Sequence, residues 1–182
     1  MKDFRLHILR QYWIDSDPNN YTDLCSHGEI YLRINSQEIL TEADHDWTIS
    51  TSTLLLLRTI FHDYNPGDES PLILHCGMLL MLSCPISATW SVAHREKKVF
   101  ISKVRKNPTT NINDTIEFPK ASMSLELREY AMPILKCAEE VAKFFRKGKK
   151  RKYSNDFDKN DYDKFWKEFN KLKLKAKDII GN

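Results

Sequence analysis

Apolar residues change their spacing along this chain: strand-like period two dominates the first two thirds, apart from a helical stretch at 48–64, and steps of three and four take over in the last third. Gly28-Glu29-Ile30-Tyr31-Leu32-Arg33-Ile34 alternates with period two, as a strand with one buried face must. Leu127, Tyr130, Ala131, Ile134, Ala138, Val141, Phe144 and Phe145 step by three and four, as one face of a helix does. A chain that carries both patterns has to cover a sheet with its helices. The expected fold is α+β: an antiparallel sheet of roughly five or six strands with three helices packed mainly on one face. Its 182 residues suffice for one core, so a single domain over 1–182 is expected.

The strands can be placed from the pattern. Phe4-Arg5-Leu6-His7-Ile8 alternates and loses its register near Leu9, before the turn-rich residues 15–20. Asn35-Ser36 separates the period-two run 28–34 from Gln37-Glu38-Ile39-Leu40-Thr41, a hairpin with Ile30, Leu32 and Ile34 facing the core. Further strands are expected at 72–76, 78–83, 90–94 and 99–101, the last two joined by Arg95-Glu96-Lys97-Lys98. Gly77 reads equally as a turn or as a bulge in one bent strand. Residues 107–114 form a surface loop.

Three helices follow from spacing and end signals. The first covers 48–64, where Thr48, Ser50, Thr51, Ser52 and Thr53 supply N-cap candidates and Asn65-Pro66-Gly67 stops it. The second spans 128–147, with Pro133 near its start. The third spans 161–180, capped by Asn160, with Tyr162, Phe165, Trp166, Phe169, Leu172, Ala176 and Ile179 on one stripe.

Between the last two helices lies the densest charge. Arg146, Lys147, Lys149, Lys150, Arg151 and Lys152 set the sign of the whole molecule: 28 Lys and Arg against 25 Asp and Glu give +3, and without these six the balance is 22 against 25. Clustered cations neutralise nucleic-acid phosphates, and Tyr153 or Phe157 adds a stacking surface. A solvated linker has the same composition, and Asp156, Asp158, Asp161 and Asp163 answer part of the charge nearby. Residues 146–160 are therefore expected as an exposed basic and acidic connector.

Catalytic and metal signatures are absent from the pattern. Cys84 with His94 and Cys76 with His75 are the only thiol–imidazole pairs to consider, and neither sits in a nucleophile motif. The six histidines lack i, i+4 pairing and the cysteines lack CxxC spacing. Asp44-His45-Asp46 and His62-Asp63 are polar loop clusters. Glycines 28, 67, 77, 148 and 181 are too scattered for a phosphate loop. No catalytic residue, metal or cofactor is assigned.

Four irregularly spaced cysteines in apolar surroundings suit reduced core thiols, and the first residues hold no apolar signal core. No stretch reaches the length of a membrane span. The expected compartment is the cytoplasm. The favoured function is a non-enzymatic protein-binding domain, of which a toxin-neutralising immunity protein is one concrete form. Trp47, beside Asp44 and Asp46, is the candidate anchor for the protein partner, because aromatics dominate contact hot spots. The second reading is a nucleic-acid-binding module using 146–152; the third is an enzyme whose site is assembled from distant residues.

Overall fold

The computed structural model describes residues 3–14, 21–44, 46–68, 70–77, 79 and 84–181. Strand β1 (Phe4–Tyr12) pairs antiparallel with β2 (His27–Ile34). The other edge of β2 takes β3 (Gln37–Leu40) and β4 (Trp47–Thr48). Asn35 adopts φ 58°, the left-handed conformation that a two-residue hairpin turn requires. Leu6, Ile30, Leu32 and Ile34 all turn into the core. The register of β1 shifts between Ile8 and Arg10, and Leu9 is left 48% exposed. Opposite that bulge only glycine fits, since a Cβ on Gly28 would lie 1.8 Å from the Arg10 carbonyl oxygen.

Helix α1 (Ile49–Thr59) leads to a second antiparallel sheet. It comprises β5 (Ile73–Leu74), β6 (Ser87–Arg95), β7 (Lys98–Asn107), β8 (Ile116–Glu117) and β9 (Met123–Glu126). Strands β6 and β7 form the long expected hairpin, turning at Glu96-Lys97. The outer edge of β6 takes β5 and a bridge from Tyr64 to Val92; that of β7 takes β8 and β9. The architecture is α+β, with two sheets of four and five strands where one of five or six was expected. Alternation marks which residues face inward, but it carries no label for the partner strand.

Helices α2 (Leu127–Lys147) and α3 (Asp156–Gly181) complete the chain. Helix α1 packs on β2, β4 and β5, and α2 on β1, β7 and β9. The helices thus join the two sheets instead of covering one face of a single sheet. Phe4 marks the junction, its ring 6.2 Å from Trp90 of β6 and 4.9 Å from Tyr130 of α2.

Polar residues make α1 the tie between the sheets. Its hydroxyls, expected as N-caps, are buried, and apart from Thr53, which donates to the Ile49 carbonyl of the same helix, several serve neighbouring segments. Ser50 Oγ accepts from the Ser26 amide at 3.1 Å, Ser52 Oγ accepts from the Leu74 amide at 3.0 Å, and the Thr59 hydroxyl meets that of Tyr130 at 2.7 Å. The helix ends at Thr59 and not at 64 because the chain must free Tyr64 for its bridge to β6. Helix α3 starts five residues earlier than expected. Asn155 Oδ1 accepts from the Asp158 amide at 2.8 Å, so Asn155 and not Asn160 opens it. The connector accordingly shortens to residues 148–155. Among the described residues, no helix is long and apolar enough to cross a membrane.

Candidate metal-binding site

The residues singled out by charge and aromaticity do not converge on one surface. Trp47 pairs with Gly28 in β4 and is fully buried, so it packs the core and presents no anchor to a partner. Arg146 and Lys147 occupy the last turn of α2, where cations complement the helix dipole. Lys150 is exposed, but Arg151 is 5% exposed, its guanidinium 3.8 Å over the Trp13 ring. Lys149 hydrogen-bonds the Tyr21 hydroxyl, and the Lys152 amide donates to the Tyr21 carbonyl at 2.6 Å. The expected exposed connector is thus pinned through Arg151, because Trp13 and Tyr21 lie against it.

What the fold does bring together is His75, Cys76 and Cys84. The Cys84 Sγ lies 3.5 Å from His75 Nδ1, and the Cys84 amide donates to Cys76 Sγ at 3.2 Å. One ligand atom from each of the three residues fits within a 4.8 Å group. Cys76 is exposed; His75 and Cys84 are half-buried.

Each foot of this cluster is clamped. At the entry, the Leu74 amide donates to Ser52, the His75 carbonyl accepts from Thr48 Oγ1 at 3.2 Å, and the His75 amide donates to the Ile86 carbonyl at 3.2 Å. At the exit, the Pro85 carbonyl accepts from Ser87 Oγ at 2.9 Å and from Asn107 Nδ2 at 3.2 Å. Between them, the Leu79 amide donates to the buried Cys25 Sγ at 3.1 Å. Gly77 adopts φ 142° outside any strand, just past bends at His75 and Cys76. The strand expected at 78–83 falls, apart from Leu79, outside the described residues, as does His45 of the Asp44-His45-Asp46 cluster.

The four thiols divide into two kinds. Burial pushes the Cys25 thiol up, and burial with the nearby Glu140 carboxylate pushes Cys137 up to about 12, so both stay protonated and inert. Burial also raises Cys84, reinforced by its contact with Cys76, but Cys84 reaches the surface beside an imidazole. Two sulfurs and one ring nitrogen are the donor set of a soft divalent ion. With Zn–S near 2.3 Å and Zn–N near 2.0–2.1 Å, a tetrahedral edge measures about 3.3–3.8 Å. The 3.5 Å between Cys84 and His75 already fits such an edge.

The pairing of Cys84 with His94 does not occur. His94 lies in β6, where its amide and Nδ1 reach Asp63 Oδ1 at 2.8 and 2.9 Å, and these contacts hold the Asp63 carboxyl below its usual range. CxxC spacing, the usual zinc signature, does not reveal this cluster. Its available signal was an adjacent His75-Cys76 followed, past a turn-prone Gly77, by Cys84. Comparison with known proteins finds no match to a protein-family model, to a curated protein or to a solved structure.

Proposed function

We propose that the chain is a binding protein that holds a thiophilic divalent ion, zinc foremost, at His75, Cys76 and Cys84. The observation that carries this reading is the gathering of three soft donor atoms, from His75, Cys76 and Cys84, within 4.8 Å. Metal binding would displace the thiol protons. With three protein ligands, a tetrahedral ion would keep one position for a further ligand. A side chain from a partner protein fits that position, which joins the expected non-enzymatic, protein-binding role to the metal site.

Titration of the reduced, chelator-treated protein with Zn2+ or Co2+ tests the reading. One equivalent binds, with Co2+ showing thiolate-to-metal absorption, and Cys84→Ser or Cys76→Ser weakens binding by at least about tenfold. Cys137→Ser, remote from the cluster, leaves it unchanged. Absence of a stoichiometric site, or a site indifferent to Cys84→Ser in a variant that still melts cooperatively, overturns it. A partner that stays bound after chelation separates the protein-binding role from the ion.

A further inference from the structure

Helices α2 and α3 run antiparallel, with Phe145 4.7 Å from Trp166 near one end of their contact and Glu139 2.9 Å from Lys177 near the other. Between them is a groove of about 400 Å³. Five cations line it: Lys136, Lys143 and Arg146 from α2, and Lys173 and Lys177 from α3. Glu139 and Glu140 are the carboxylates on its walls, and Glu139 is taken by Lys177. The groove therefore carries three positive charges in excess. Lys136, Lys143 and Arg146 have no carboxylate partner among the described residues, and Lys173 donates to the neutral Asn170 Oδ1 at 3.3 Å and lies 5.9 Å from the centre of the Phe169 ring. Burial pulls the Lys173 ammonium down, and the Lys177 and Arg146 charges pull it further. Like charges held this close repel one another until an anion lies between them.

At the Arg146 and Lys173 end the groove continues into a second cavity of about 390 Å³. Its walls change character, adding the rings of Phe145, Tyr162 and Trp166 and the amide of Asn170. A cationic trough that opens onto aromatic faces pairs the two features that recognise a nucleotide: charge for the phosphate and a ring surface for the base. The connector cations differ. Lys149, Arg151 and Lys152 lie over the rings of Tyr21 and Trp13, which do not line the trough.

We infer that the α2–α3 trough binds a nucleotide unit, its phosphate among Arg146, Lys173 and Lys143 and its base against Tyr162 and Trp166. The unit comes either from a free nucleotide or from single-stranded nucleic acid. The site is separate from the His75–Cys76–Cys84 cluster, so chelation leaves it intact.

The test uses the full chain at about 50 mM salt with two probes, a fluorescent single-stranded oligonucleotide of about ten residues and adenosine monophosphate. Four or five cations on a single strand predict a slope near −3 in log affinity against log salt. Lys143→Gln/Arg146→Gln/Lys173→Gln should weaken binding by at least tenfold and flatten that slope toward −1. The same neutralisation of Lys149, Lys150 and Lys152 should leave both unchanged. Tighter binding of the oligonucleotide assigns the site to a strand; equal binding assigns it to a free nucleotide. Binding of neither probe, equal loss from the connector variant, or equal affinity for a sulfated oligosaccharide of the same charge overturns the inference. The altered side chains are solvent-facing or half-buried, and a thermal melt identical to that of the parent confirms that the triple variant is folded.

Discussion

Arg151 places a cation where its ring contact and its packing count most. The guanidinium stacks on Trp13, and its Nε and Nη2 donate to the Lys149 carbonyl at 3.0 and 2.8 Å. Arg151→Ala should cost about 1–2 kcal/mol in urea denaturation, through lost stacking and lost cover for the indole. Arg151→Lys should restore little, since an ammonium neither stacks nor forks. Lys150→Gln should change stability by less than about 0.5 kcal/mol. An Arg151→Ala protein as stable as the parent would show that the stack contributes nothing. The basic run was legible as charge, but nothing within it distinguishes Arg151, because its partner Trp13 belongs to the opposite end of the chain. Trp47 failed for a related reason. A two-residue strand is too short for periodicity to reveal, so an indole in the core resembled one in a loop.

At the scale of elements, α1 and α3 are held together by a fork. Arg58 Nε and Nη2 reach the two oxygens of Glu168 at 2.7 and 2.8 Å, and Arg58 holds the Glu168 carboxyl below its usual range. A depressed carboxyl contributes stability above the unfolded value, near 4.3, and loses it as pH falls through the folded one. Glu168→Gln should therefore cost about 0.5–1 kcal/mol at neutral pH, discounted for a pair about one-third exposed. The difference from the parent should shrink below about pH 4 and vanish once the folded carboxyl is protonated. A gap that is constant from pH 7 to pH 3 would remove the ion pair from the account. The stripes of α2 and α3 were readable because both helices bury one face. The first turn of α3 was not, since Phe157 is 61% exposed and breaks the apolar spacing there.

For the whole molecule, the long strands β1, β2, β6 and β7 were readable, whereas the short β4, β8 and β9 and the partition into two sheets were not. Period two reports a buried face, whereas the choice between joining β2 and starting a new ladder at β6 is made by α1 wedged between the sheets. The same limit hid the candidate metal site: its donors are near in sequence, but the clamps that aim them come from Thr48, Ser52, Ile86 and Asn107. Helix α3 belongs to this core through Phe165, Phe169, Leu172 and Ala176. Truncation after Asn155 should abolish cooperative unfolding in circular dichroism and shift the chain toward aggregates on gel filtration. A folded, monomeric fragment would mean that α3 is an appendage.

Strand β1 depends on the far end of the chain: Phe4 packs on Tyr130, and the Leu6 carbonyl faces the Cys137 thiol at 3.9 Å, both in α2. During synthesis the amino-terminal strand leaves the ribosome long before the helix that shelters it. At about 5–20 residues per second, its apolar face waits roughly 6 to 30 seconds for cover by α2. Until then that face has no cover from α2, so the core of this fold closes only when the last third of the sequence is present.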